Sequence, residues 1–309
     1  MSYNESNLTT IIDAQQELIA TVADATFALP LQSGVRDSVI ALMEDPTTSL
    51  ADIARTISFD PALAVRLLNI INSAFYGLNE RITDITKALQ LMGLGAAREV
   101  AEGMSLSRLF SLRKTDDPAF SARQEGLWRH SVATGAAAEI IGRKARISND
   151  IICFTAGFLH DIGKSAMLTL QTAEYNRILN IAKNEKVSLF IVERRVLGYD
   201  HAMLGRLLCN VWGQPDEIGV AVGRSHSVRS GAVDQPYSML AAVTHMADIF
   251  ARSLGVGWWG DRIMPRLDPA ASLSLGLAPE DAADLLDEVA EEYKIKMAQM
   301  SRYYPVILL

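Results

Sequence analysis

Apolar residues recur at helical spacing along most of the chain, and capping residues mark where helical segments begin. Ser49 precedes an apolar run and is followed by Asp52 three residues later, which is a variant of the capping box. Asp60 and Pro61 repeat this start signal, and the residues after them form the wide apolar face of a buried helix. No segment shows the alternation of a half-buried strand. The pattern therefore predicts an all-α fold.

A polar, charged segment at residues 113–118 divides the predicted helices into two groups and is the predicted linker between two helical subdomains. The predicted organisation is an N-terminal helix at residues 1–25, a helical subdomain at 26–112, a second helical subdomain at 119–260 and a helical tail at 268–309. In the tail, acidic residues come early and lysines late, as the helix dipole favours. We expect a solvated capping helix there, and an acidic partner-binding arm is the alternative.

Composition agrees with a globular helical protein. Of 309 residues, 49% are hydrophobic and 7% aromatic, which excludes disorder and favours helices over β-sandwiches. The 29 basic and 36 acidic residues give a net charge of −7, and no basic run is present that could neutralise a row of phosphates. Uncharged stretches are shorter than the roughly 20 residues of a membrane span. Because the first residues lack the parts of a secretory signal, we expect a cytoplasmic protein with no membrane partner.

Two cysteines, Cys153 and Cys209, fall in apolar helical surroundings and form no Cys-x-x-Cys pair. We expect buried free thiols rather than a disulfide or a zinc site.

All five histidines lie beyond the predicted linker, in the second group of helices: His130, His160, His201, His226 and His245. A single histidine on a helix is more often a hydrogen-bonded core residue than a ligand, but this grouping favours a site. His160 and Asp161 are adjacent, so an imidazole nitrogen and a carboxylate oxygen can approach one divalent cation.

An aspartate further along the chain is a second candidate ligand. Asp248 lies among apolar residues and ends no obvious helix, and a buried carboxylate there needs a metal or a histidine partner. His245 falls on the same face and is expected to be a core or supporting residue.

These residues resemble the HD superfamily of helical metal-dependent phosphohydrolases, in the segments WRHS, LHDIGK and THMAD. The wider chain is similar to the HDOD family of bacterial signalling proteins, in ITKALQLMGLG, WRHSVATG, GFLHDIGK and LGYDHAMLGRLLCNVWGQP and in a long run that begins LPLQSGVRDSV. The resemblance covers about residues 26–255. It implies two helical subdomains, the C-terminal one an HD-like bundle, and a role in signalling through protein contacts.

The resemblance also implies a site for one or two divalent cations, with Fe, Mn or Zn as the candidates. The ligands of the first cation would be His130, His160, Asp161 and Asp248. The second cation would be held by His201 and His226, and Asp161 would bridge the two cations. Lys164 would neutralise a phosphate oxygen, so Asp161 and Lys164 are the candidate catalytic residues. Alternatively, Lys164 caps the carbonyls of the preceding helix.

Three features depart from the HD-GYP phosphodiesterases, relatives that cleave cyclic di-GMP. The Gly-Tyr-Pro signature is absent after Asp248, Ser225 replaces one of two paired histidines, and Gly126 stands where some of these enzymes carry a glutamate ligand. The sequence therefore favours a signalling module with a retained metal site. The alternative is a metal-dependent phosphohydrolase acting on a nucleotide or cyclic dinucleotide.

Two further segments have open interpretations. Residues 49–71 resemble a helix-turn-helix, but the second helix offers only Arg66 as a basic residue, so core packing is preferred to DNA binding. Trp258 and Trp259, flanked by glycines, are ordinary core residues or an exposed contact patch.

Overall fold

All regular secondary structure in the described part of the chain is helical, which confirms the predicted fold class. The computed structural model describes residues 33–58, 63–64, 67–68, 71–72, 78, 80–111, 118–147, 150–211, 214–226, 238–261 and 263–303. The predicted N-terminal helix at 1–25 and nearly all of the predicted linker at 113–118 lie outside these residues. No helix within the described ranges is both long enough and apolar enough to cross a bilayer.

We number the helices in chain order. They are α1 (Ser33–Glu44), α2 (Leu50–Ser58), α3 (Ile85–Ser111), α4 (Pro118–Lys144), α5 (Asp150–Leu159), α6 (Ile162–Leu170), α7 (Thr172–Glu185), α8 (Leu189–Leu197), α9 (His201–Val211), α10 (Asp216–Gly223), α11 (Ser238–Ser253), α12 (Pro269–Leu275) and α13 (Ala282–Tyr303). A 3₁₀ turn at Pro279–Asp281 precedes α13.

Helices α1, α2 and α3 pack together before the predicted linker. The predicted cap of α2 is present, because Ser49 Oγ accepts a hydrogen bond from the Asp52 amide at 3.2 Å and donates one to the Asp52 carboxylate at 2.6 Å. Helix α3 is a single element that is broken at Gly93, where φ is +79°.

The segment with the helix-turn-helix resemblance contributes to this first core. Leu63, Leu67 and Ile71 are buried, together with Ile53 and Ile57 of α2. This burial supports core packing over DNA binding. Arg66, the basic residue of that comparison, lies outside the described residues.

Helix α4 is the centre of the second group and packs against α5, α11 and α13. Small residues dominate its buried face, including Ala133, Ala136 and Ala137, so neighbouring helices approach it closely. The other helices pack in pairs, α9 with α10, α6 with α9 and α7 with α8. This arrangement brings histidines from several helices and turns close together.

The C-terminal helix α13 is anchored on its inner face and acidic on its outer face. Leu285 and Val289 are buried, and the buried Lys296 ammonium lies 2.6 Å from the Glu139 carboxylate of α4. Early acidic residues such as Asp284 and Asp287 are exposed. These contacts favour the capping-helix interpretation of the tail.

Both cysteines are free and buried, as predicted. Burial raises the pKa of the Cys209 thiol to about 12, so this thiol stays protonated at neutral pH.

Candidate metal centre

Five separate parts of the chain place the six predicted ligands side by side. His130 comes from α4, and His160 and Asp161 come from the turn between α5 and α6. The remaining three are the first residue of α9, a residue that follows α10 and a residue of α11, namely His201, His226 and Asp248. Their side-chain donor atoms form two groups, His130 with His160 and Asp248, and Asp161 with His201 and His226.

The first group has donor spacings that suit one cation. His130 Nε2 lies 3.0 Å from Asp248 Oδ1 and 3.7 Å from Asp161 Oδ2. His160 Nε2 lies 3.3 Å from the same Asp161 oxygen and 3.5 Å from Asp248 Oδ1. With metal–ligand bonds of about 2.1 Å, octahedral or tetrahedral angles separate neighbouring donors by roughly 3.0–3.4 Å. The four residues therefore fit a shared cation.

The ring of His160 is oriented so that its Nε2 atom faces the carboxylates of Asp161 and Asp248. His160 Nδ1 donates a hydrogen bond to the Gly157 carbonyl at 2.7 Å. Because a carbonyl only accepts, Nδ1 carries the hydrogen of the neutral ring and Nε2 carries the lone pair. Nε2 is buried and has no hydrogen-bond partner among the described residues, which is an arrangement that a metal ligand requires.

The second group lies on the other side of Asp161. Asp161 Oδ1 is 3.3 Å from His201 Nε2, and that nitrogen is 2.5 Å from His226 Nε2. The ring of Phe190 stacks on His226 with centroids 5.2 Å apart. Since the two oxygens of Asp161 face different donor groups, its carboxylate can bridge two cations.

Each carboxylate at the centre also contacts one basic side chain. Lys164 Nζ donates to Asp161 Oδ2 at 2.6 Å, and Arg252 Nε donates to Asp248 Oδ1 at 2.9 Å. Burial raises the pKa of both carboxyl groups, but the charges of His160, Lys164 and Arg252 hold each pKa well below its usual range. Both aspartates are therefore ionised.

Lys164 points into the protein, with 1% of its surface exposed. Its second partner is the Trp259 carbonyl oxygen at 2.8 Å. The alternative in which Lys164 caps carbonyls of the preceding helix is wrong, since its ammonium bonds the Asp161 side chain and the Trp259 backbone.

The two histidines of the first group have opposite pKa shifts. Burial lowers the pKa of His130 to about 4. Burial also lowers the pKa of His160, but the Asp161 and Asp248 carboxylates together outweigh this effect and raise the pKa to about 9. Without a cation these carboxylates favour a protonated His160, and a cation at Nε2 would displace that proton.

Glu193 and Tyr175 belong to this centre, although sequence reasoning did not find them. Glu193 Oε2 accepts hydrogen bonds from the His201 amide and from His201 Nδ1, at 2.9 and 2.5 Å. Tyr175 donates its hydroxyl to the other oxygen at 2.8 Å. A sequence signal existed, because Glu193 follows the apolar Leu189 by four residues and so interrupts the apolar face of the helix.

The two adjacent tryptophans lie in a loop beside His130, and their partial burial favours the core interpretation over an exposed contact patch. Trp258 and Trp259 are partly buried, the Trp258 amide donates to the Gly126 carbonyl at 2.8 Å, and the Trp259 ring lies 5.7 Å from that of His130. A Cβ atom on Gly126 would lie 2.6 Å from the Trp258 Cβ. This loop therefore occupies the space that a glutamate ligand at position 126 needs.

Two expectations about α11 can be compared with the structure. His245 Nδ1 donates to the Ser225 carbonyl at 2.8 Å, and His245 Nε2 accepts from the Asp268 amide at 3.2 Å. These bonds confirm a core histidine. Asp248 was expected not to end a helix, and this is confirmed. It lies inside α11, four residues before Arg252.

Comparison with known proteins agrees with this geometry. The HDOD domain matches residues 29–228, which is most of the chain. The chain belongs to the HDOD domain family. The match includes five of the six candidate ligands, and Asp248 lies beyond its end.

Related proteins give further comparisons. The MmoQ response regulator from Methylococcus capsulatus is 28% identical, with a TM-score of 0.62 over 84% of this chain and 98% of that chain. A virulence factor from Campylobacter jejuni is 15% identical, with a TM-score of 0.56 over 84% of this chain and 98% of that chain, and shares the fold. An uncharacterized protein from Treponema pallidum is 25% identical over 242 residues, 77% of this chain. The chain spans 45% of the length of that relative.

Proposed function

We propose that this protein is an HDOD signalling module that acts through protein contacts and retains an HD-type centre for divalent cations. The observation that carries this proposal is the position of Asp161, whose two carboxylate oxygens face two separate groups of histidines. The subdomain boundaries at residues 26–112, 119–260 and 268–309 are part of the same proposal.

The donor set supports a cation of the Fe, Mn or Zn type. Imidazole nitrogens and carboxylate oxygens are ligands that these metals share. His130, His160, Asp161 and Asp248 would hold the first cation, and His201, His226 and the second oxygen of Asp161 would hold another. A bound cation of this kind would supply Lewis-acid chemistry to a phosphoryl oxygen.

Two observations favour signalling over turnover. The chain is similar to a response regulator, MmoQ, along almost the whole of that chain. In addition, the first donor group is enclosed, since His130 and His160 are each 0% exposed, Asp248 is 1% exposed, and the Trp259 ring lies 5.7 Å from that of His130. A centre of this kind suits a structural or regulatory cation whose state is transmitted through the packed helices to a protein partner.

The second candidate function is a metal-dependent phosphohydrolase acting on a nucleotide or cyclic dinucleotide. A carboxylate that faces two cation positions favours it, because paired cations stabilise the attacking and leaving oxygens of phosphoester hydrolysis. In this function, Asp161 would help to hold both cations and Lys164 would neutralise a phosphate oxygen. The inward hydrogen bonds of Lys164 would then have to be released for substrate.

The first experiment is elemental analysis of protein purified without chelator or metal-binding tag. We expect near-stoichiometric metal in the wild type and its loss in His160→Ala and Asp161→Ala. Glu174→Ala is a matched control, because Glu174 is an exposed carboxylate that pairs with Arg177. A metal-free wild type after reconstitution with Fe²⁺ or Mn²⁺ would refute the cation centre.

The second experiment separates the two functions. The metal-loaded protein is incubated with bis(p-nitrophenyl) phosphate, nucleotides and cyclic dinucleotides in the presence of Mn²⁺, Fe²⁺, Mg²⁺ or Zn²⁺. Absence of cleavage, together with cross-linking to a partner that differs between wild type and Asp161→Ala, supports signalling. Metal-dependent cleavage that disappears in Asp161→Ala supports the phosphohydrolase instead.

A further inference from the structure

Glu193 is a fully buried carboxylate with three hydrogen-bond donors around it. Its Oε1 accepts from the Tyr175 hydroxyl at 2.8 Å. Its Oε2 accepts from the backbone amide and from Nδ1 of His201, at 2.9 and 2.5 Å. An unpaired carboxylate is costly to bury, and these donors offset that cost. They also connect α7 and α8 to the first residue of α9.

This carboxylate dictates which nitrogen of His201 is available. An ionised carboxylate only accepts hydrogen bonds, so Nδ1 of His201 carries a hydrogen. In the neutral ring the lone pair is then on Nε2, the atom that lies 3.3 Å from Asp161 Oδ1. The contact therefore turns the ligating nitrogen of His201 toward the second donor group.

We propose that Glu193 and Tyr175 are positioning residues, which fix the Nδ1-protonated form of His201 and thereby tune the affinity of the second cation position. The cation part of this inference rests on the proposed function. The chemistry is general, since a carboxylate that accepts the other N–H of a ligating histidine fixes its orientation and increases its basicity.

The histidines of the first donor group lack such a partner. His160 Nδ1 bonds a neutral carbonyl, that of Gly157. His130 Nδ1 is buried and has no hydrogen-bond partner among the described residues. Loss of the Glu193 charge should therefore weaken the second cation position and leave the first unchanged.

Helix capping alone does not account for Glu193. The amide of His201 is at the start of α9, but this helix has another side-chain cap, since Asp200 Oδ1 accepts from the Met203 amide at 2.8 Å. Substitution of Glu193 by glutamine keeps an acceptor of the same shape while it removes the charge. Folding of α9 and basicity of His201 can thus be tested separately.

The test is a Mn²⁺ titration of the full chain followed by electron paramagnetic resonance, which distinguishes a single Mn²⁺ from a spin-coupled pair. In Glu193→Gln we expect the second Mn²⁺ to bind about 10- to 100-fold more weakly, with the first unchanged. Tyr175→Phe removes one hydroxyl and should weaken the second Mn²⁺ by a smaller factor. Glu174→Gln is the matched control, an exposed carboxylate on the same helix as Tyr175.

If Glu193→Gln weakens Mn²⁺ binding equally at both cation positions, or changes it at neither, the proposal is overturned. If Glu193→Gln fails to fold by circular dichroism, Tyr175→Phe decides by the same criterion. If the wild type binds no Mn²⁺, the proposed function fails, and ¹⁵N NMR of the histidine rings tests the positioning by itself. An Nδ1–H on His201 that is weakened in Tyr175→Phe supports the positioning, and an unprotonated Nδ1 in the wild type overturns it.

Discussion

Gly163 packs directly against the backbone of His201. A Cβ atom on Gly163 would lie 2.0 Å from the His201 carbonyl oxygen, a distance at which the backbone has to move. Gly163 follows the His160–Asp161 pair, and His201 begins α9. Glycine at this position therefore lets the two halves of the centre approach each other.

Gly163→Ala should destabilise the protein and reduce its metal content together. Overpacking of a rigid interior costs about 1–3 kcal/mol, which urea denaturation measures, and elemental analysis should show less metal. The control is Gly95→Ala, since Gly95 lies in a helix with open space around it. That change should stabilise the protein by about 0.5–1 kcal/mol. An alanine at 163 with wild-type stability and metal content would contradict the close approach.

Cation binding should stabilise the folded chain, because the ligands come from five different parts of it. A cation at 100 times its dissociation constant adds about 2.7 kcal/mol to the free energy of unfolding. Thermal melts should show a higher Tm with Mn²⁺ or Zn²⁺ than with EDTA. Asp248→Asn changes a ligand of the first cation position and should reduce this increase, while Glu174→Gln keeps it. An increase of equal size in Asp248→Asn would place the stabilising cation elsewhere.

Gly126→Glu should displace the tryptophan loop rather than add a metal ligand. Trp258 occupies the space beside Gly126, and its amide hydrogen bond to the Gly126 carbonyl depends on this close approach. We expect greater quenching of tryptophan fluorescence by acrylamide and no gain in metal affinity. Tighter Mn²⁺ binding by Gly126→Glu would show that the loop yields to a new ligand.

The two cysteines should resist alkylation in the native state. With its pKa raised to about 12 by burial, Cys209 forms little of the thiolate that reacts with iodoacetamide. Cys153 is buried as well. Mass spectrometry should find both thiols unmodified at pH 8 and both modified after unfolding in urea. Rapid labelling of either thiol without urea would contradict this burial.

Much of the helical framework could be predicted from local sequence signals. The predicted Ser49 cap is present at the start of α2. The predicted linker at residues 113–118 reaches into α4, which begins at Pro118. Apolar periodicity was weak in that first part of α4, where the burial pattern is mixed.

The sequence by itself determined the helical class, the family resemblance and the group of histidines around the His160–Asp161 pair. These depend on caps, periodicity and short motifs, which act between neighbours in the chain. Only the tertiary structure brought Glu193 to His201 and Trp259 to Lys164, the latter pair 95 residues apart. Contacts of this kind depend on how closely whole helices pack, and that is decided by the complementary shapes of many side chains together.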